Sequence, residues 1–151
     1  MNIDGTLNIG GVTQTNVVDA AYTNSFAGAT TTTLFVLQDN AAPGSDVLFI
    51  QNPPSNGALN PVANLTINVS QLSGFDITAD LQAFLSWNGG NQFGTLNLTT
   101  GQAVNNGAVG GGFAGQIAGI SALNAVPEPA TLALLGLGLA GLGSSQRRSL
   151  N

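Results

Sequence analysis

The chain reads as an all-β domain of antiparallel sheets followed by one C-terminal hydrophobic helix, and three observations carry that reading. Short runs rich in β-branched and aromatic residues recur along most of the chain, Gly, Pro, Asn and Ser clusters punctuate them, and a long apolar run without a single charge, Ala130 to Leu142, comes at the end. Short strands separated by frequent turn signals point to antiparallel pairing, because parallel strands need long crossovers.

In chain order, the β-rich runs are Val17 to Tyr22, Thr31 to Leu37, Val47 to Gln51, Leu65 to Val69, Leu81 to Trp87, Phe93 to Leu98 and Ile117 to Leu123. Turn chemistry fills the gaps, notably at Pro43-Gly44-Ser45, Asn52-Pro53-Pro54, Asn56-Gly57, Ser73-Gly74, Asn88-Gly89-Gly90 and Asn106-Gly107. Leu65, Ile67 and Val69 alternate with Thr66 and Asn68, so one face of that run is dry. Leu34 to Leu37 and Val47 to Ile50 are apolar on both faces and are expected as central strands. Phe35, Phe49, Phe75, Phe84, Trp87 and Phe93 are expected to pack in the core. An exposed Trp87 beside the Asn88 to Asn91 loop is the alternative, as an aromatic platform for sugar.

A weak internal repeat organises the body. Val18-Asp19-Ala20-Ala21-Tyr22 and Thr33-Leu34-Phe35-Val36-Leu37 are echoed by Gly74-Phe75-Asp76-Ile77 and Phe93-Gly94-Thr95-Leu96-Asn97-Leu98, with Ala103 to Val109 closing the second copy. A unit of about fifty residues and about four strands has the size of a β-propeller blade. The sheets are therefore read as incomplete propeller blades, with Asp4-Gly5-Thr6-Leu7 as the last strand of an earlier one and Ile117 to Leu123 as the first of a later one. Residues 1–124 are taken as this body and 125–151 as a separate tail. Met1 to Gly10 carries neither a basic nor an apolar region of a secretory signal, from which a reading frame beginning upstream of Met1 is expected.

Composition narrows the function classes. Of seven acidic residues one is Glu128, so the body holds six aspartates, while the two basic residues of the chain, Arg147 and Arg148, both lie in the tail. Binding to nucleic acid requires cations that displace counterions, and the body offers none. Cysteine and histidine are absent, which removes thiol nucleophiles, thiolate metal sites, disulfides and the commonest general base. Asp76 with Asp80, and Asp39 with Asp46, are read as turn-capping groups, with a loop calcium site and a carboxylate catalytic pair as the alternatives. Gly119-Ile120-Ser121 begins like a nucleophile elbow, but position 123 is Leu and no base exists. No catalytic, metal-binding or cofactor-binding residue is expected.

The run AAYTNSFAGATTTTLF, then QNPPSNGAL, GFDIT, GTLNLTTGQA and GISA, resembles the C-terminal part of the DUF4394 family, a secreted propeller-like repeat domain. The chain has Phe35-Val36-Leu37-Gln38 and Leu96-Asn97-Leu98 where that family tends to show Leu-Tyr-x-Ile-Asp. The resemblance implies a fold and no activity.

The tail has three parts in fixed order: Val126 with Pro127-Glu128-Pro129, an apolar run, and the pair Arg147 and Arg148. Pro129 suits the first turn of a helix, and two arginines after a neutral run read as a cytoplasmic stop. A transmembrane helix from about 130 to 145 would be roughly 24 Å long against a hydrocarbon core of roughly 30 Å. Gly136, Gly138 and Gly141 spell a nucleotide-binding pattern, but without a preceding strand they read as small residues of a membrane helix. The three parts resemble the PEP-CTERM sorting tail of Gram-negative bacteria. That resemblance implies export, transient inner-membrane anchoring, an exosortase as partner and cleavage at the motif. The expected function is a non-enzymatic exported surface or extracellular-matrix protein, with exopolysaccharide as a further candidate partner. The alternative is a carbohydrate- or protein-binding module of the cell surface.

Overall fold

The computed structural model describes residues 4–42, 44–87, 91–110 and 117–122, together with Leu137 and Leu139. Among them, every strand pairing within a sheet is antiparallel. The first two strands, β1 (Asn8–Ile9) and β2 (Val12–Thr13), form a hairpin. Its two turn residues, Gly10 and Gly11, take φ of 57° and 87°, the left-handed geometry that a tight primed hairpin turn requires.

A four-stranded meander follows: β3 (Val17–Tyr22), β4 (Leu34–Gln38), β5 (Val47–Gln51) and β6 (Leu59–Asn64), paired in that order. A second meander repeats the plan with β7 (Gly74–Ile77), β8 (Ala83–Trp87), β9 (Gln92–Leu96) and β10 (Ala103–Ala108). The four-strand unit read from the repeat is thus present twice, and no closed barrel forms among the described residues.

The two strands that are apolar on both faces, β4 and β5, are the inner pair of the first sheet. Each face of that sheet feeds a separate core. Phe35, Leu37 and Leu48 join Phe75, Ile77, Leu85 and Leu96 of the second sheet in the larger core. Val36, Phe49 and Leu59 point the other way and are packed by Leu7 and Ile9 of the N-terminal segment. Burying both faces explains why no polar residue interrupts these strands until Gln38 and Gln51.

Several expectations are corrected. Leu65 to Val69 is not a strand; the fourth strand of the first sheet is Leu59–Asn64, which contains Pro61. Proline cannot donate to a ladder and is tolerated here because β6 is an edge strand whose register shifts between Leu48 and Phe49. The dry face of the 65–69 run is real: Leu65 and Val69 are buried in the larger core. Their backbone is held by Asp46, whose carbonyl accepts the Leu65 N–H and whose carboxylate accepts the Val69 N–H. Strand β8 starts at Ala83 rather than Leu81, because Leu81 takes a left-handed φ of 64° in the preceding turn. Residues 117–122 carry no strand assignment. Of the hydrophobic helix expected over about 130–145, only Leu137 and Leu139 are described, both helical and exposed; the helix as a whole lies outside the described residues.

Candidate functional site

Register decides which side chains share the far face of the second sheet. Asp76 stands opposite Phe84, Phe84 opposite Thr95 and Thr95 opposite Val104, while Gly74, Ser86 and Phe93 form a neighbouring row. Residues of the other parity, Phe75, Ile77, Leu85 and Leu96, enter the core. The far face therefore carries two aromatic rings where alternation would place polar groups. Phe84 and Phe93 stack on each other with centroids 5.8 Å apart and planes 8° from parallel, and both are half-buried.

Above this pair opens a cleft of about 550 Å³, lined by Thr78, Asp80, Gln82, Phe84, Phe93 and Ser121 among others. Its polar wall comes from the turn between β7 and β8. The Thr78 hydroxyl lies between the Asp80 carboxylate and the Gln82 backbone, and accepts the Gln82 N–H at 3.2 Å. Asp80 is thereby engaged in its own turn, as expected for a turn-capping group.

The opposite wall is the segment 117–122, and two contacts fix it. The Asp76 carboxylate accepts the Ala122 N–H at 2.7 Å. Gly74 lies beneath the backbone of Gly119 and Ile120 so closely that a Cβ there would sit 2.7 Å from the Ile120 nitrogen. Only glycine permits that approach. Ser121, which the sequence placed in a failed nucleophile elbow, is simply a member of this wall.

Asp19 on β3 has the corresponding role in the preceding sheet. Its carboxylate accepts the N–H of Ala20 at 2.8 Å and hydrogen-bonds the N–H of Phe75 on β7. Burial pushes this carboxyl above its ordinary value; the two backbone N–H groups oppose that shift and the nearby Asp76 charge adds to it. Asp46 is buried completely and spends both carboxylate oxygens on backbone N–H groups of Asn40 and Val69. Among the described residues no three potential metal ligands gather.

Trp87 packs in the larger core as expected and is only 7% exposed, which rules out the alternative of an exposed sugar platform. Phe84 and Phe93, expected in the core as well, are instead half-buried on the far face. The aromatic pair that does reach a cleft is Phe84 with Phe93. The signal was present in the sequence: in Ala83-Phe84-Leu85-Ser86-Trp87 the alternation that buries Ala83, Leu85 and Trp87 turns Phe84 to the other side.

The family model for a domain of unknown function, DUF4394, matches residues 1–121. The chain belongs to the DUF4394 family. A PEP-CTERM protein-sorting motif matches residues 125–148, immediately after the DUF4394 domain. No curated protein and no solved structure matches the chain. The sorting motif covers Val126, Pro127, Glu128 and Pro129 as well as Arg147 and Arg148, all outside the described residues. It implies an exported DUF4394 protein that is recognised by an exosortase. Among the described residues, no helix is long and apolar enough to cross a membrane.

Proposed function

We propose that this DUF4394 protein is a non-enzymatic component of the bacterial cell surface or extracellular matrix, anchored by its tail until an exosortase cuts near Pro129. The observation that carries the reading is the sorting motif at 125–148, placed directly behind the β domain matched over 1–121. In this reading Val126 to Pro129 form the recognition site, the helix from about 130 to 145 holds the chain in the inner membrane of a Gram-negative cell, and Arg147 and Arg148 keep its end cytoplasmic. The structural role accords with a body that has no histidine, cysteine, lysine or arginine. The carboxylates of Asp19, Asp46 and Asp76 are taken up by backbone N–H groups at turns and junctions. Exopolysaccharide is the matrix partner such a surface would meet.

The test is the mature C-terminus. Expressed behind a signal peptide in a host with an exosortase, the protein should be recovered ending near Pro129, and in a strain lacking the exosortase it should keep Arg147 and Arg148. Mass spectrometry showing an intact C-terminus in both strains would refute the sorting role. Turnover of any glycan or peptide by the purified body would refute the non-enzymatic one.

A further inference from the structure

The near face of the first sheet and the far face of the second are equivalent surfaces. Asp19 stands opposite Leu37 and Ala21 opposite Phe35 on one, as Asp76 stands opposite Phe84 on the other. Each aspartate hydrogen-bonds a backbone N–H of the segment lying against it: Asp19 that of Phe75, and Asp76 that of Ala122. Residues 117–122 thus take on the second sheet the place that β7 takes on the first. On the first sheet β7 leads into three further strands, and Leu37 and Leu48 become fully buried. On the second sheet Phe84 and Phe93 stay half-buried beside the cleft, and Val104, in the same row as Phe84, is 57% exposed.

The opposite end of the molecule carries the complementary piece. Its outer face, formed by Val36, Phe49 and Leu59, is packed by Leu7 and Ile9. The β1–β2 hairpin lies on the β6 side, where Asn8 bridges Ala58. Residues 117–122 lie on the first-strand side of their sheet, whereas the hairpin lies on the fourth-strand side of its own. Val12 of the hairpin is 66% exposed.

We propose that this chain associates head to tail, the β1–β2 hairpin of one copy seating beside residues 117–122 on the far face of the next copy's second sheet. Together the two partial layers make one composite layer between the second sheet of one copy and the first sheet of the other. A second copy is the favoured occupant because the contact continues an interface that the chain already builds between its own sheets. It also brings the strands of the side that 117–122 does not supply. Such a contact joins two different surfaces, so it extends or closes into a ring rather than stopping at a twofold dimer. Because the body has no cation, the copies repel at long range and meet through apolar groups, so added salt strengthens the association.

The absence of cysteine makes the test direct. The full chain is prepared in mild detergent as V12C and as V104C, two exposed positions, and each is treated with a short bis-maleimide linker alone and in an equimolar mixture. The expected result is a linked dimer in the mixture, joining a V12C chain to a V104C chain, and no linked dimer from either variant alone. Sedimentation of the wild-type chain should show mass rising with concentration and with salt. Self-linking of V104C or of V12C would mean like faces meet, and would overturn the proposal. So would a mixture that does not link, a wild-type chain that stays monomeric at every concentration and salt, or a cleft that takes a soluble saccharide while the chain remains a monomer.

Discussion

Asp46 is the side chain whose removal should cost the fold most for its size. It is fully buried at the start of β5, and its carboxylate accepts the Asn40 N–H at 2.8 Å and the Val69 N–H at 2.7 Å. The first contact closes the turn between β4 and β5, and the second holds the 65–69 segment that delivers Leu65 and Val69 into the core between the sheets. Asp46→Ala leaves both donors without their acceptor. The Val69 donor is buried and should lose roughly 2–3 kcal/mol, while the Asn40 donor, only part-buried and nearer water, should lose roughly 1 kcal/mol. The sum, about 3–4 kcal/mol, is a large fraction of the stability of a domain this size. Asp46→Asn keeps one acceptor oxygen but sets its amide against the other N–H, so its loss should be about half as large. Urea unfolding followed by the fluorescence of Trp87, the chain's one tryptophan and a buried one, reports both variants. The Asp46→Ala midpoint should fall by roughly 1–3 M at an unchanged slope. If Asp46→Ala lies within about 1 kcal/mol of wild type, the two N–H groups have found water and the pinning argument is wrong.

Burial at Asp19 gives a pH dependence. Its folded-state pKa is raised from the ordinary 3.8, so the folded chain binds this proton more tightly than the unfolded one. That contribution is present below the ordinary value and is lost as pH rises through the raised folded value. Asp19→Asn should remove this component of the pH profile and gain on wild type toward neutral pH; a difference between the two that does not change with pH refutes it. At Gly94 an added Cβ would sit 2.0 Å from the Val104 carbonyl oxygen and 3.0 Å from the Trp87 ring. Gly94→Ala should therefore destabilise by roughly 2–3 kcal/mol through forced separation of β9 and β10. Gly10→Ala, with a positive φ but open space around it, should cost only about 1 kcal/mol. Thermal melts of the pair check the ordering, and equal losses would sink the steric account. Replacing Arg147 and Arg148 with glutamates should loosen retention in the membrane fraction before sorting, because the arginines set the orientation of the tail. Unchanged fractionation would show that the apolar run alone holds it.

What the sequence determined by itself was whatever is local. Turn chemistry at Asn52-Pro53-Pro54 and Asn56-Gly57, period-two alternation, and unbroken apolar runs at β4 and β5 fix strands, turns and which strands lie inside the first sheet, because each depends on a few neighbouring residues. The repeat of Asp19 and Asp76 and the three-segment tail were equally legible, being patterns of residue type and order. The tertiary structure decided the rest. Leu65 to Val69 has the alternation of a strand, yet it serves as a plug because its backbone N–H groups go to Asp46, whose carboxylate accepts one of them from 23 residues along the chain. Pro61 lies within a strand because β6 is an edge, and alternation along the chain pointed to Leu65 to Val69 for that edge instead of Leu59 to Asn64. Alternation puts Trp87 and Phe84 on opposite faces of their strand, but it takes both sheets in place to bury Trp87 and leave Phe84 half-buried. The cleft itself exists because a glycine at position 74 and a carboxylate at position 76 bring in a segment more than forty residues away, a juxtaposition set by packing between sheets and not by any pattern along one.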